Sequence, residues 1–332
     1  MKALILAGGF GTRLRPLTYT RPKHLLPIAN RPHIDHVFDH LQSHGVDEVV
    51  LLTSYLAESF EATIDGAKQR GLTVGVTHEE VALGTAGALR HAREFVGDET
   101  VLAFNGDILT DVDLAAVLEW HRSHEAEATI VLTPVEDPSA YGVVPTDDDG
   151  RVLGFIEKPP PGEAPSNLIN AGIYVLEPSI IDRIPKGEVW SAERQLFPGL
   201  VEEGARLFAT APPAYWIDIG TPAKYLEANL DALHERWSSE ALAAPSPGPA
   251  YIAERAEVAG DARVSSVCIG AGAVIGPGAV VTRSVLLSGA RIDPGANVSD
   301  SILGADAVVP TGTRVQGLTL GDGEVSGSAP DV

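Results

Sequence analysis

The chain has 332 residues, 45 of them acidic and 24 basic, for a formal charge of −21. That balance argues against nucleic acid and anionic membrane as partners, since both are polyanions, while the length admits two domains and a sizeable core. One cysteine, Cys268, excludes an intrachain disulfide and a cysteine-built zinc cluster.

No apolar run reaches membrane-spanning length. The first residues lack the basic segment followed by an apolar stretch that an export signal needs. A cytoplasmic protein is expected. Leu4 to Ala7 is a short apolar run that reads as a buried strand. It empties into Gly8-Gly9-Phe10-Gly11-Thr12-Arg13-Leu14-Arg15-Pro16, with Lys23 close behind. A strand ending in a glycine-rich turn lets backbone N–H groups converge on an anion, and the cations behind it match phosphate oxygens. The run is neither of the two commonest phosphate loops. Gly11 is followed by Thr12-Arg13 rather than Lys-Ser/Thr, and Leu14 stands where a dinucleotide fingerprint needs its third glycine.

Residues 1–237 alternate Val/Ile/Leu/Ala runs with amphipathic stretches. Strands are predicted over Glu48–Thr53, Thr100–Asn105, Ala128–Thr133 and Ile169–Leu176, and helices over His33–Ser43, Ala86–Phe95 and Leu114–Ser123. Such alternation implies an α/β sheet with helices on both faces, whose ligands sit beyond the carboxyl ends of the strands. Gly8 and Asp107 both fall at such ends.

Residues 238–250 shift to Ser, Ala, Pro and Gly and read as a linker. Beyond it, apolar anchors recur at Ile252, Val258, Val264, Ile269, Ile275, Val281, Leu286, Ile292, Val298, Leu303, Val309 and Val315. The spacing of six, six, five defines a 17-residue unit repeated four times. Three short strands per turn build a solenoid with a continuous core. The pattern resembles the hexapeptide-repeat left-handed parallel β-helix, expected over residues 251–319. Cys268 takes a slot that small alanines fill elsewhere and reads as a core residue. Residues 320–332 are expected to form a flexible tail.

Two acids sit where apolar segments turn at glycine. Asp107 lies in Phe104-Asn105-Gly106-Asp107, and Asp218 in Trp216-Ile217-Asp218-Ile219-Gly220-Thr221-Pro222. A carboxylate so placed can reach a Mg²⁺ ion that bridges phosphate oxygens.

Together, Gly8-Gly9-x-Gly11-Thr12-Arg13-Leu14-x-Pro16-Leu17-Thr18 and Pro22-Lys23 resemble the signature of the sugar-1-phosphate nucleotidylyltransferases, or nucleotide-sugar pyrophosphorylases. The resemblance implies a Rossmann-like nucleotidyltransferase domain ahead of the β-helix. It also implies small-molecule substrates, an NTP and a sugar 1-phosphate, and Mg²⁺ held by Asp107 and Asp218. Leu6, Ala7, Gly8, Gly9, Gly11, Thr12, Arg13 and Lys23 would hold the nucleotide, and Glu79, Gly84 and Thr85 its base. Glu157-Lys158-Pro159 and Asn170-Ala171-Gly172-Ile173-Tyr174 resemble the sugar-phosphate motifs, giving Gly142, Glu157, Lys158, Asn170 and Gly172 to that substrate.

The phrases Leu83-Gly84-Thr85-Ala86-Gly87 and Val135-Glu136-Asp137-Pro138-Ser139-x-Tyr141-Gly142 look most like mannose-1-phosphate guanylyltransferases. Uridylyl and thymidylyl members typically carry glutamine in place of Glu79. A carboxylate only accepts, and guanine presents two adjacent donors, so Glu79 tilts the base toward GTP. His24, where guanylyl members often have proline, also resembles some thymidylyltransferases and keeps dTTP with glucose 1-phosphate open.

The expected chemistry is transfer at the α-phosphorus, with Arg13, Lys23, Asp107, Lys158 and Asp218 as the catalytic set. The attacking phosphate oxygen is already anionic, so alignment and charge neutralisation supply the rate. Two rival readings are weaker. An acyltransferase of the β-helix type relies on a histidine base, yet all ten histidines precede Ala241. A silent nucleotide-sugar sensor would not need all five catalytic residues. The β-helix is expected to serve as an interaction module that makes the protein a homo-oligomer.

Overall fold

The structure, a computed structural model, describes residues 1–54, 56–237 and 250–327. Residues 238–249 of the expected linker and residues 328–332 lie outside the described residues. The described chain forms two compact units. The first comprises Met1–Gly9 and Val37–Trp216; the second comprises Phe10–His36 and the chain from Ile217 onward. Residues 10–36 and 217–237 therefore group with the repeats rather than with the sheet, although a sequence reading places them in the N-terminal domain.

The first unit is built on strands β1 (Lys2–Leu6), β2 (Glu48–Thr53), β3 (Thr73–His78), β4 (Val101–Asn105), β5 (Ala128–Pro134), β6 (Leu168–Leu176) and β7 (Leu207–Thr210). β3, β2, β1 and β4 lie side by side and parallel. β6 joins β4 antiparallel, β5 joins β6 antiparallel, and β7 runs parallel to β5. Val49–Leu52 and Val101–Phe104 are each at most 1 % exposed, as continuous apolar runs in a sheet covered on both faces demand. The chain leaves β1 toward β2 on one side and returns at β4 on the other. The crevice at that reversal, outside the carboxyl end of β1, is where such sheets place ligands. Helices His33–Ser43 and Leu114–Ser123 match their predicted spans, whereas the predicted helix Ala86–Phe95 is two pieces, Gly84–His91 and Arg93–Val96.

In the second unit, strands pair in parallel with partners 17 residues on. Val264, Val281, Val298 and Val315 form one ladder, and Ile275, Ile292 and Val309 a second. Ile269, Leu286, Leu303 and Leu320 form a third. These are the coils of a parallel β-helix. Anchors from Ile269 to Val309 are at most 1 % exposed. Ile252, on the first described coil, departs from the pattern at 43 % exposed. Burial pushes the Cys268 thiol up to about 12, although Ala29 N–H opposes the shift, so this cysteine is an unreactive core residue.

Residues 320–326 do not form the expected loose tail. Leu320 falls one repeat after Leu303 and pairs with it, and Val325 bridges Val308. A further partial coil closes the stack.

At Gly270 the neighbouring coil passes so close that a side chain is excluded. A Cβ on Gly270 would lie 2.7 Å from Leu287 C and from Ser288 N, and 2.8 Å from Leu286 O. Those are backbone atoms of the next coil and cannot rotate away. Gly270→Ala is expected to destabilise the repeat by about 1–3 kcal/mol. A thermal melt unchanged from wild type would show that the coils can part there at no cost.

Candidate active site

The turn after β1 begins inside the first unit. Ala7 N–H is spent on Leu52 O (2.9 Å) and Ser54 Oγ donates to Gly8 O. Strand β2 thus fixes where the turn leaves the sheet. Gly9 is exposed, and Phe10 is 52 % exposed. At the neighbouring strand end, Gly106 N–H donates to Leu6 O (3.0 Å), which ties the Asp107 turn to the end of β1. Asp107 itself is half-buried. The first unit therefore presents Gly8, Gly9 and Asp107 at the mouth of the sheet's reversal.

The rest of the signature run belongs to the second unit. Gly11 has φ +61° and opens the short helical turn Thr12–Leu14. Thr18 Oγ1 donates to Gly11 O (2.8 Å). Leu14 and Leu17 are fully buried, so they anchor the turn and leave Arg13 exposed. Within the same unit, the point where a Cβ on Gly220 would stand is 3.2 Å from an Arg13 guanidinium nitrogen and 3.5 Å from Asp218 Oδ2. One predicted phosphate cation and one predicted metal carboxylate thus meet over a glycine that leaves room for both. Lys23 packs its Cβ toward Gly11, 3.3 Å from where a Cβ there would be. His24 is 1 % exposed, so the residue that left the base choice open is a packing residue.

The predicted base region departs from a simple surface loop. Glu79 is only 6 % exposed. Its Oε2 accepts from Leu83 N–H (3.2 Å), while Oε1 is buried with no hydrogen-bond partner. Burial raises its carboxyl above the usual range, against the N–H of Leu83 and the two nearby histidines His91 and His78. Thr85 faces inward: its hydroxyl donates to Glu193 (2.9 Å) and accepts from Ala192 N–H (2.8 Å). The N–H groups of Ala86 and Gly87 both donate to Trp190 O. The Thr85 side chain therefore braces this turn against residues 190–193. Trp190 and Glu193 were not legible as partners, since nothing in their own spacing marks them.

The predicted sugar-phosphate residues gather in the first unit. Glu157 pairs with Gly142 across a short antiparallel ladder, and Lys158 N–H donates to Tyr141 O (2.9 Å). Lys158 Nζ lies 3.6 Å from Glu157 Oε1, and its side chain is 60 % exposed. Asn170 holds a bulge in β6: its Nδ2 donates to Tyr174 Oη (2.7 Å) and its Oδ1 accepts from Gly172 N–H (3.0 Å). One N–H and one lone pair of that amide remain for a ligand. Gly172 sits at φ +74°, with Asn105 Nδ2 2.6 Å from where a Cβ would stand. Two further side chains border this region. Trp216 Nε1 donates to Ala171 O (2.9 Å), and Tyr141 meets its ring edge to face at 5.8 Å. An aromatic inside the Asp218 motif was the only sequence trace of Trp216.

Asp107 and Asp218 come from different units, and among the described residues no three His, Cys, Asp or Glu side chains form a metal cage. Among the described residues no helix is long and apolar enough to cross a membrane.

Comparison with known proteins places the chain among relatives of known kind. The chain is 38 % identical over 286 residues to the mannose-1-phosphate guanylyltransferase of Mycobacterium tuberculosis, covering 86 % of this chain and 79 % of the relative. It is 40 % identical over 241 residues to the UTP–glucose-1-phosphate uridylyltransferase of Synechocystis, covering 69 % of this chain and 62 % of that protein. Among solved structures, HddC from Yersinia pseudotuberculosis complexed with GMP-PN superposes with a TM-score of 0.60 at 29 % identity, covering 69 % of this chain and 97 % of that one. Residues 246–328 match the family described as GMPPB C-terminal domain. Residues 2–235 match the family described as Nucleotidyl transferase, and the chain belongs to that family.

Proposed function

We infer that this nucleotidyltransferase moves a guanylyl group from GTP to mannose 1-phosphate, releasing pyrophosphate and forming GDP-mannose. The observation that carries the choice of base is Glu79, an almost fully buried acid whose Oε1 lacks a partner beside the Leu83-Gly84 turn. A buried acceptor with nothing to accept from is costly unless a ligand supplies donors, and the guanine edge supplies two. The M. tuberculosis relative carries the same name as the inferred activity, and the Yersinia protein was solved with GMP-PN.

In this reading the backbone N–H groups of Gly8, Gly9 and Gly11 cradle the triphosphate, with Leu6, Ala7 and Thr12 shaping the turn. Lys158 orients the sugar phosphate so that its oxygen faces the α-phosphorus. Glu157 and Asn170 take sugar hydroxyls. The oxygen–phosphorus bond forms as the bond to pyrophosphate breaks, with no proton to remove. Arg13 offsets the charge that grows on the departing pyrophosphate, and Lys23 holds the α-phosphate. Asp107 and Asp218 would hold Mg²⁺, which when bound neutralises phosphate charge. Self-association through the coils belongs to the same reading, supported by Ile252 at 43 % exposed on the first coil.

The test is a pyrophosphate-release matrix. GTP, dTTP, UTP, ATP and CTP are each paired with mannose and glucose 1-phosphates in the presence of Mg²⁺. GTP with mannose 1-phosphate is expected to dominate. Dominance of dTTP or UTP with glucose 1-phosphate would replace this reading with the pyrimidine one, which the Synechocystis relative represents.

A further inference from the structure

The stretch between the two candidate phosphate cations Arg13 and Lys23 is not held by its own contacts alone. Within the second unit, Thr20 Oγ1 donates to Asp322 Oδ2 at 2.6 Å, and the Arg21 guanidinium meets the same oxygen at 2.5 Å. Asp322 belongs to the partial coil that closes the β-helix. Its other oxygen accepts from Ala305 N–H at 2.8 Å, so the carboxylate is fixed in the coil before it reaches the loop. Its side chain is 20 % exposed and that of Arg21 is 26 % exposed. One residue earlier, a Cβ on Gly321 would lie 2.9 Å from Pro16 Cβ, so backbone and loop meet closely beside the ion pair. Burial pulls the Asp322 carboxyl upward. The hydrogen bonds of Thr20 and Ala305 and the charge of Arg21 outweigh that and hold it below the ordinary range.

We propose that Asp322 is a positioning residue for nucleotidyl transfer: the closing coil of the β-helix grips Thr20 and Arg21 and so sets where Lys23 and Arg13 stand. Arg21 is two residues from Lys23 and joined to it through Pro22, whose ring restricts the backbone. Fixing Arg21 therefore fixes the approach of Lys23. Arg21 is thereby a tether whose carboxylate partner lies in the partial coil. The inference gives the repeat domain a part in catalysis that self-association does not. It rests on the nucleotidyl-transfer reading for its activity readout, and on the geometry alone for its structural one.

The experiment compares full-length wild type with Asp322→Asn, Arg21→Gln and the double variant. Amide hydrogen exchange over residues 10–24 reads the tether whatever the enzyme does. Faster exchange there in each variant, with exchange at coil positions 274–303 unchanged, is the expected result. Steady-state kinetics are expected to show kcat lower by about ten- to a hundredfold, the scale of a small misplacement of reacting groups. KM for the nucleotide should change much less. The double variant should be no slower than the worse single one, because both remove one interaction. Asp322→Glu should recover part of kcat. Wild-type exchange and wild-type kcat in Asp322→Asn would overturn the proposal, as would losses that simply multiply in the double variant. A wild-type protein that releases no pyrophosphate with any substrate pair would instead overturn the functional reading, while the exchange data still decide the tether.

Discussion

An Arg13→Ala variant is expected to lose about 10²–10³ in kcat, the scale of removing one preorganised donor to a developing charge. Arg13 stands on the short helical turn Thr12–Leu14. Its turn is pinned by the buried Leu14 and Leu17 and by the hydrogen bond from Thr18 to Gly11 O, none of which uses the arginine side chain. The side chain is exposed, so truncation should change stability by less than about 0.5 kcal/mol. What truncation removes is a cation that shares the space over Gly220 with Asp218. If the guanidinium acts on the charge that builds on pyrophosphate, kcat and kcat/KM fall together. Arg13→Lys should recover only part of the rate, since an ammonium cannot present a planar fork to two phosphate oxygens. Rapid-quench turnover of the variant with GTP and mannose 1-phosphate is the measurement. Near-wild-type kcat, with the melt unchanged, would remove Arg13 from the mechanism.

The parts of this molecule that were legible before the structure are those where one residue's environment repeats or is local. A register of 17 residues follows from anchors such as Ile275, Ile292 and Val309, because every coil buries the same slot. The same rule, carried one step further, includes Leu320 in the stack, yet the Gly, Ser and Asp content of residues 321–332 masks it. The glycine turn after β1 was legible as a turn because Gly11 stands at φ +61°, a conformation glycine adopts without steric cost. Roles that depend on distant partners were not legible. Thr85 looks like a base contact until Glu193 and Ala192 claim its hydroxyl. Asn170 looks like a free sugar-binding amide until Tyr174 and Gly172 take half of its capacity. Asp322 reads as one more acid in a polar tail until Arg21 is seen beside it. The partners of Asn170 are four and two residues away and are set by the bulge in β6, while the pairings of Thr85 and Asp322 are long-range and no local spacing encodes them. The grouping of residues 10–36 with the repeats has the same cause. Asn30 Nδ2 donates to Tyr251 O and Ile269 O, Ala29 N–H donates to Asn229, and Tyr225 donates to Pro27 O.

Replacing Glu79 by glutamine is expected to lower the preference for GTP over UTP and dTTP by about ten- to a hundredfold, the range of about 1.5–3 kcal/mol carried by a hydrogen bond to a charged group. The amide keeps one acceptor and presents two donors, which suits a pyrimidine edge and collides with the donors of guanine. A second consequence follows from burial. The Glu79 carboxyl is raised above its ordinary value chiefly by desolvation. The folded state therefore holds the proton more tightly than the unfolded chain does. Its contribution to stability is full below the ordinary carboxylate value and is lost as pH rises through the raised one. The glutamine variant carries no such loss. It should melt above wild type at neutral pH, and the gap should close as pH falls into the ordinary carboxylate range. The KM for GTP should run the other way in wild type, rising as pH drops through the raised value, because protonation turns one acceptor into a donor. In the variant that rise should be absent. Together the two pH profiles test whether one carboxylate, with its buried Oε1, sets both stability and base preference. A variant that keeps wild-type GTP preference, or whose melting advantage persists unchanged at acidic pH, would separate Glu79 from base selection.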